Sequence, residues 1–138
     1  MPACVQMIEA GCGRFVKQRV LAAELRTDDR LGTSFGDILR YLWQRKFGIQ
    51  LYRDLDWSLL AGHLRRGDFV MLFARAGLLW GTGELANHCV MLQSVRQRRC
   101  TIVDPGRKTK PPRYSVSRRR LRLATSDVPI AAVVIQRG

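Results

Sequence analysis

Acidic residues are scarce in this chain. Eleven aspartates and glutamates stand against 24 lysines and arginines over 138 residues, for a formal net charge of +13. Histidine is scarcer still, with two residues, and cysteine supplies four. Cys4, Cys12, Cys89 and Cys100 form no CxxC pair and have no histidine at ligand spacing, so neither a zinc site nor a bound cofactor is expected. Long apolar runs are also missing. FVMLFARAGLLW carries Arg75 and VPIAAVVI is short, so no membrane-spanning helix is expected. The opening MPACVQMIEAG lacks the basic start and long apolar middle of a cleaved secretory leader, and the reading leans towards an intracellular, cytoplasmic protein.

What is present is enough for one core. At 46% hydrophobic, residues 1–138 are expected to form a single domain, being too few for two ordinary ones. Between Arg96 and Arg122 eleven basic residues face one acid, Asp104. Such clustering displaces counterions from phosphate, so nucleic acid is a conceivable partner through this basic face. Against it, the run offers only Tyr114 for stacking, and arginines in turns are most often a solvated face.

Helical spacing begins at Val5 and Ile8, is interrupted by Gly11 and Gly13, and resumes through VKQRVLAAELR. GTSFGDILRYLWQRKFG predicts the clearest helix. Ser34 is its cap, Asp37 completes a capping box, Ile38, Leu39, Leu42 and Trp43 form a buried stripe, and Gly48 follows its basic last turn. IQLYR reads as a short strand. A helix follows with Asp56 as N-cap, Leu59, Leu60 and Leu64 on its apolar face, His63 as a surface or groove residue, and Gly67 as the stop. FVMLFA predicts a central strand, and residues 75–87 a glycine-bearing loop. HCVMLQSV and CTIVD then make a hairpin about RQRR, an arrangement that could bring Cys89 and Cys100 close together. A proline-rich basic loop, a short helix in VSRRRLRL and a last strand in VPIAAVVIQ complete an α+β order, with N-terminal helices packed on a mostly antiparallel sheet.

The hairpin carries the chemistry. A cysteine hydrolase needs a thiolate, a base that shares its proton, and a group that holds the imidazole in the useful tautomer. A helix N-terminus favours the thiolate, because unpaired N–H groups and the helix dipole stabilise its charge. His88 and Asp104 lie on adjacent predicted strands, within reach of each other if the pairing is tight. Here the chain resembles the papain-like cysteine peptidases typified by the peptidase domains of bacteriocin-processing ABC transporters and their free-standing relatives. PACVQMI resembles their first helix, GTSFGDILRYLWQRKFGIQLYRDLDWSLLAGHLRRGDFVMLF their middle, HCVMLQSV their histidine strand and CTIVDPG their aspartate strand. The resemblance implies a papain-like fold, with His88 as base and Asp104 as its orienter.

In those relatives the nucleophile opens a pattern Cys-Gly-x-Ala-Cys-x-x-Met. The best register sets Ala3, Cys4 and Met7 on its alanine, second cysteine and methionine, which puts the nucleophile one residue before Met1. The oxyanion-binding glutamine that precedes it in the family is absent too. Three readings stay open: the sequence begins after the segment with the nucleophile, the chain keeps the fold without the activity, or Cys4 acts one helical turn further on. Cys12 between two glycines is a second-choice nucleophile. The leading expectation is hydrolysis of a peptide or amide bond by thiolate acyl transfer. A degenerate module that binds a peptide or partner protein is the alternative, with nucleic-acid binding last. Trp43, Trp57 and Trp80 are read as core or rim packing rather than as substrate clamps.

Overall fold

The computed structural model describes residues 2–28, 32–82, 86–105 and 111–137. Its first helix, α1 (Pro2–Gly11), begins on a proline, whose missing N–H is harmless at a first helical position. The helix ends against the sheet, where a side chain at Gly11 would start 2.7 Å from the Phe69 ring. Next come α2 (Gln18–Glu24) and α3 (Phe35–Gln44). Ser34 Oγ accepts from the Asp37 N–H, the N-cap half of the expected capping box, and the same hydroxyl donates to the Asp37 carboxylate. The stop differs from expectation. Lys46 rather than Gly48 takes the left-handed conformation, at φ 67°, and Gly48 already opens β1 (Gly48–Tyr52).

The rest of the chain alternates: α4 (Trp57–Arg65), β2 (Phe69–Arg75), α5 (Ala76–Trp80), β3 (Asn87–Val95), β4 (Arg99–Val103), β5 (Arg113–Ser117), α6 (Arg118–Thr125) and β6 (Ala132–Gln136). Asp56 caps α4 by accepting from the Leu59 N–H, and Gly67 at φ 82° stops it, both as expected. The strands form one sheet in the order β1-β6-β2-β3-β4-β5, with every neighbouring pair antiparallel. The α+β reading holds. One refinement is that helices cover both faces, because α4, α5 and α6 are threaded between strands instead of preceding them. Ile8, Leu21, Ile38 and Leu42 pack on Met71, Phe73, Cys89 and Met91, whereas Leu60, Leu79 and Leu121 pack on Val70, Leu72, Val90 and Ile102. Burial on both faces explains why FVMLFA is unbroken by polar residues.

Several expectations are corrected. Trp43 is 72% exposed, and Tyr41 is buried in its place on α3. Leu59 lies on the open side of α4. RAGLLW contains the helical turn α5, and RYSVS is the edge strand β5, polar at three of its five positions. Cys89 and Cys100 sit in opposite cores, because Cys100 pairs with Val95 while Cys89 faces α1. Among the described residues no helix is long and apolar enough to cross a membrane.

One buried charge ties α1 to α3. Glu9, wholly buried, accepts from Tyr41 Oη at 3.1 Å and Arg45 Nε at 3.1 Å, with Arg14 Nη1 at 3.5 Å. Burial, then the adjacent Glu9 carboxylate, pushes the Tyr41 phenol from 10.0 up to about 12. The folded chain therefore keeps a proton that the unfolded chain releases near pH 10. The corresponding stability is intact below that pH and is lost as pH rises to about 12. In urea titrations across this window the wild type loses more unfolding free energy than Tyr41→Phe does; equal slopes would show that the phenol makes no contribution.

Candidate active site

The site is built on the β3–β4 hairpin. Met91 pairs with Val103 and Leu92 with Ile102, so the position after β4, Asp104, comes opposite Val90. His88 is then its diagonal neighbour on the same sheet face, a separation that long side chains bridge. The bridge is made: His88 Nε2 lies 2.6 Å from Asp104 Oδ1. The Asp104 carboxylate is completely buried, while His88 keeps 21% of its side chain exposed. An ionised carboxylate only accepts, so the proton of this bond belongs to Nε2. Nδ1 remains as the ring's second nitrogen, and among the described residues it has no partner.

Sequence reasoning did not foresee two further side chains at the site. Tyr114 on β5 donates from Oη to Asp104 Oδ2 at 3.4 Å, on the carboxylate oxygen that His88 leaves free. Trp80 at the end of α5 donates from Nε1 to Tyr114 Oη at 3.1 Å, and its ring packs on the His88 imidazole with centroids 5.0 Å apart. Trp80 is therefore half-buried packing, as read, but its packing partner is the imidazole. The Asp104 N–H donates to Pro112 O at 2.7 Å, which anchors the end of β4 to the start of β5. Part of the expected cleft-border loop, residues 83–85, lies outside the described residues; its flanks are joined by the Ala76 N–H donating to Ala86 O.

His88 opens onto a cavity of about 750 Å³. Its walls are mainly apolar, from Phe35, Phe73, Val128, Pro129 and Ile130, with Thr27, Thr33 and Asn87 as polar points. Phe35 and Phe73 meet edge to face at 5.3 Å. Pro2 also lines the cavity, so the first turn of α1 and the imidazole share one space.

Among the described residues Cys89 is the one cysteine on the wall of this cavity. Cys4 is 1% exposed, does not line this cavity, and donates from Sγ to the Cys89 carbonyl at 3.4 Å. Cys89 adjoins His88 in sequence but turns into the α1-side core, where burial, then its contact with Cys4, holds its thiol well above the ordinary range. Burial likewise raises Cys100. Cys12 is exposed but follows the last turn of α1, roughly 15 Å of helix from Pro2, at the negative end of the dipole. The structure also corrects the reading of His63 as a surface residue. It is 3% exposed, with Nδ1 2.8 Å from Asp68 Oδ2 and Nε2 3.0 Å from Tyr52 Oη, and it joins α4 to β1 and to the turn before β2.

No protein-family profile matches the chain, and no curated protein matches its sequence. Solved structures do match. A C39-like peptidase from Bacillus anthracis superposes with a TM-score of 0.74 over 99% of this chain and 88% of that one, at 15% identity. The peptidase domain of Streptococcus ComA, a bifunctional ABC transporter involved in a quorum-sensing pathway, gives 0.69 over 99% and 90%, at 14% identity. At such identities the likeness is one of fold, and it extends along nearly the whole chain. The protein has the α+β fold of the C39-like, papain-like cysteine peptidases.

Proposed function

We propose that the protein is a cysteine-peptidase-type domain that binds a peptide in the His88 cavity and cleaves it by acyl transfer to a thiolate. The observation that carries this reading is the 2.6 Å bond between His88 and a buried Asp104 at the rim of a cavity shared with the first turn of α1. Asp104 holds the Nε2–H tautomer, so Nδ1 is the nitrogen that exchanges protons with the sulfur and the leaving amine. Thiolate attack on the scissile carbonyl gives a tetrahedral intermediate. His88 then protonates the departing amine, and Nδ1 draws a proton from the water that hydrolyses the thioester.

For the sulfur, geometry favours the start of α1. Cys4 belongs to the buried residues Cys4, Val5, Ile8 and Glu9 of α1, whereas Pro2 at the start of the same helix lines the cavity. In the register of the resembled family the nucleophile is the residue before Met1, one turn ahead of Cys4. The alternative, a domain that holds a peptide without cutting it, is favoured by one observation: among the described residues His88 is hydrogen-bonded to Asp104 and to no cysteine.

Two measurements separate these readings. A chain extended by one cysteine before Met1 is expected to react with iodoacetamide at that cysteine at pH 6 at least about tenfold faster than at exposed Cys12, since activated thiols stay ionised well below the ordinary pKa near 8.5. His88→Gln, which can keep a donor to Asp104 but offers no base, removes that advantage and lowers any peptide hydrolysis by about 10²–10⁴-fold. Labelling no faster than Cys12 leaves only the binding reading, and rapid labelling of Cys4 in the unextended chain would make Cys4 the nucleophile. In long-range nitrogen–proton spectra, neutral His88 is expected as the Nε2–H tautomer. Asp104→Ala mixes the two tautomers, and Tyr114→Phe leaves the preference in place.

A further inference from the structure

A second cavity, of about 500 Å³, lies behind Trp80 and Tyr114, between α5, β5 and the start of α6. Its polar wall holds two guanidinium groups, Arg99 and Arg120, and the hydroxyls of Tyr114, Ser115 and Ser117, with no carboxylate among its lining residues. Arg99 is held in place: Nε donates to Ser115 Oγ at 2.7 Å and Nη2 to the Ser115 carbonyl at 3.2 Å, which leaves Nη1 for a ligand. Arg120 leans across towards α5, where a side chain at Gly81 would begin 3.6 Å from its Nη1. Among the described residues Arg120 has no acidic partner. Asp104, the carboxylate of the adjoining network, is buried behind Tyr114 and already bonded to His88.

Two cations sharing a concave polar wall repel each other until an anion joins them, and guanidinium forks suit a carboxylate. The position of the cavity narrows the choice of ligand. Trp80 lines this cavity and packs on the His88 imidazole with centroids 5.0 Å apart, so a peptide crossing the imidazole has the width of an indole to pass before the arginines, about two or three extended residues at about 3.3 Å each. Nucleic acid fits less well. Trp80 is engaged with His88 and the Tyr114 hydroxyl with Asp104, which leaves poor support for base stacking. We propose that this cavity is the subsite for an acidic side chain of the bound peptide, two or three residues from the bond held at His88. The inference rests on the peptide-cleft reading and extends it with a substrate preference.

The test uses capped hexapeptides with two leucines at one end and two glutamates at the other, in both chain directions, and their glutamine counterparts. Binding at physiological ionic strength is followed by the Trp80 indole N–H signal, assigned with Trp80→Phe, and by the His88 ring signals. In one direction the glutamate peptide should bind at least about fivefold tighter than its counterpart, as expected of charge-assisted bonds at a partly solvated site. The double variant Arg99→Gln/Arg120→Gln should abolish this ratio, and Arg19→Gln/Arg65→Gln, of equal charge, should preserve it. If both double variants lower the ratio alike, the net field of the +13 chain is responsible and the subsite is refuted. Equal shifts of His88 by both peptides, without discrimination, keep the cleft and refute the subsite. No shift by either peptide refutes both. An octathymidylate that moves the Trp80 signal at lower concentration than the glutamate peptide also overturns the proposal.

Discussion

A carboxylate with no exposed surface must be met by donors, because an unpaired ion in a protein interior costs several kcal/mol. Asp104 is such a group, and its donors come from separate parts of the chain: His88 at the start of β3 and Tyr114 on β5. Trp80, from α5, then fixes the Tyr114 oxygen and covers the imidazole. Rotating the His88 ring away would leave the buried charge with one long hydrogen bond. The same constraint that stabilises this end of the sheet therefore also keeps Nδ1 aimed away from Asp104, the condition for an imidazole to serve a reaction repeatedly without reorienting.

That constraint depends on strand register. A slip of one residue between β3 and β4 would carry Asp104 to the opposite face of the sheet. The slip is resisted because both faces are buried: Val90 and Leu92 lie in one core, Cys89 and Met91 in the other. The irregularity between Leu92 and Ser94 falls on the turn side of the hairpin, away from the site. His63 and Asp68 provide the contrast. They meet at 2.8 Å, close to the His88–Asp104 distance, yet they are five residues apart at the end of one helix and line neither of the two cavities described above. The chemistry of a His–Asp pair resides in the space it faces.

Much of this was legible in the sequence, for physical reasons that differ from element to element. The caps at Ser34 and Asp56 are local hydrogen bonds, and local rules find them. The unbroken FVMLFA run announces burial on two sides. His88 and Asp104 are ionisable residues at the ends of apolar strands, and the resemblance to the peptidase family is what singles them out. Trp80 and Tyr114 were not legible as site residues, since one lies in a five-residue helix too short to show periodicity and the other on an edge strand with three polar neighbours. Their roles come from contacts across the sheet, which no window of sequence contains. The same holds for His63, whose burial depends on Tyr52 from another element, and for Trp43, whose helical phase suited a buried face that Tyr41 occupies instead.

The cysteines show how sharply an environment changes along one helix. At Pro2, α1 borders the open cavity, but within a single turn its inner face has passed into a dry core, where the Cys4 thiol meets a backbone carbonyl and the raised thiol of Cys89. A helix start stabilises a thiolate through its unpaired N–H groups, whereas the Cys4 sulfur is engaged as a donor to a carbonyl oxygen at 3.4 Å. Pro2 and Cys4 lie about 200° apart around the helix, at about 100° per residue, so the position that borders the cavity is not on the face that carries Cys4. The buried Glu9, five residues on and tied to Tyr41 and Arg45, fixes the rotation of α1 that produces this division. Turning the helix far enough to bring Cys4 towards the cavity would take that carboxylate out of its hydrogen bonds.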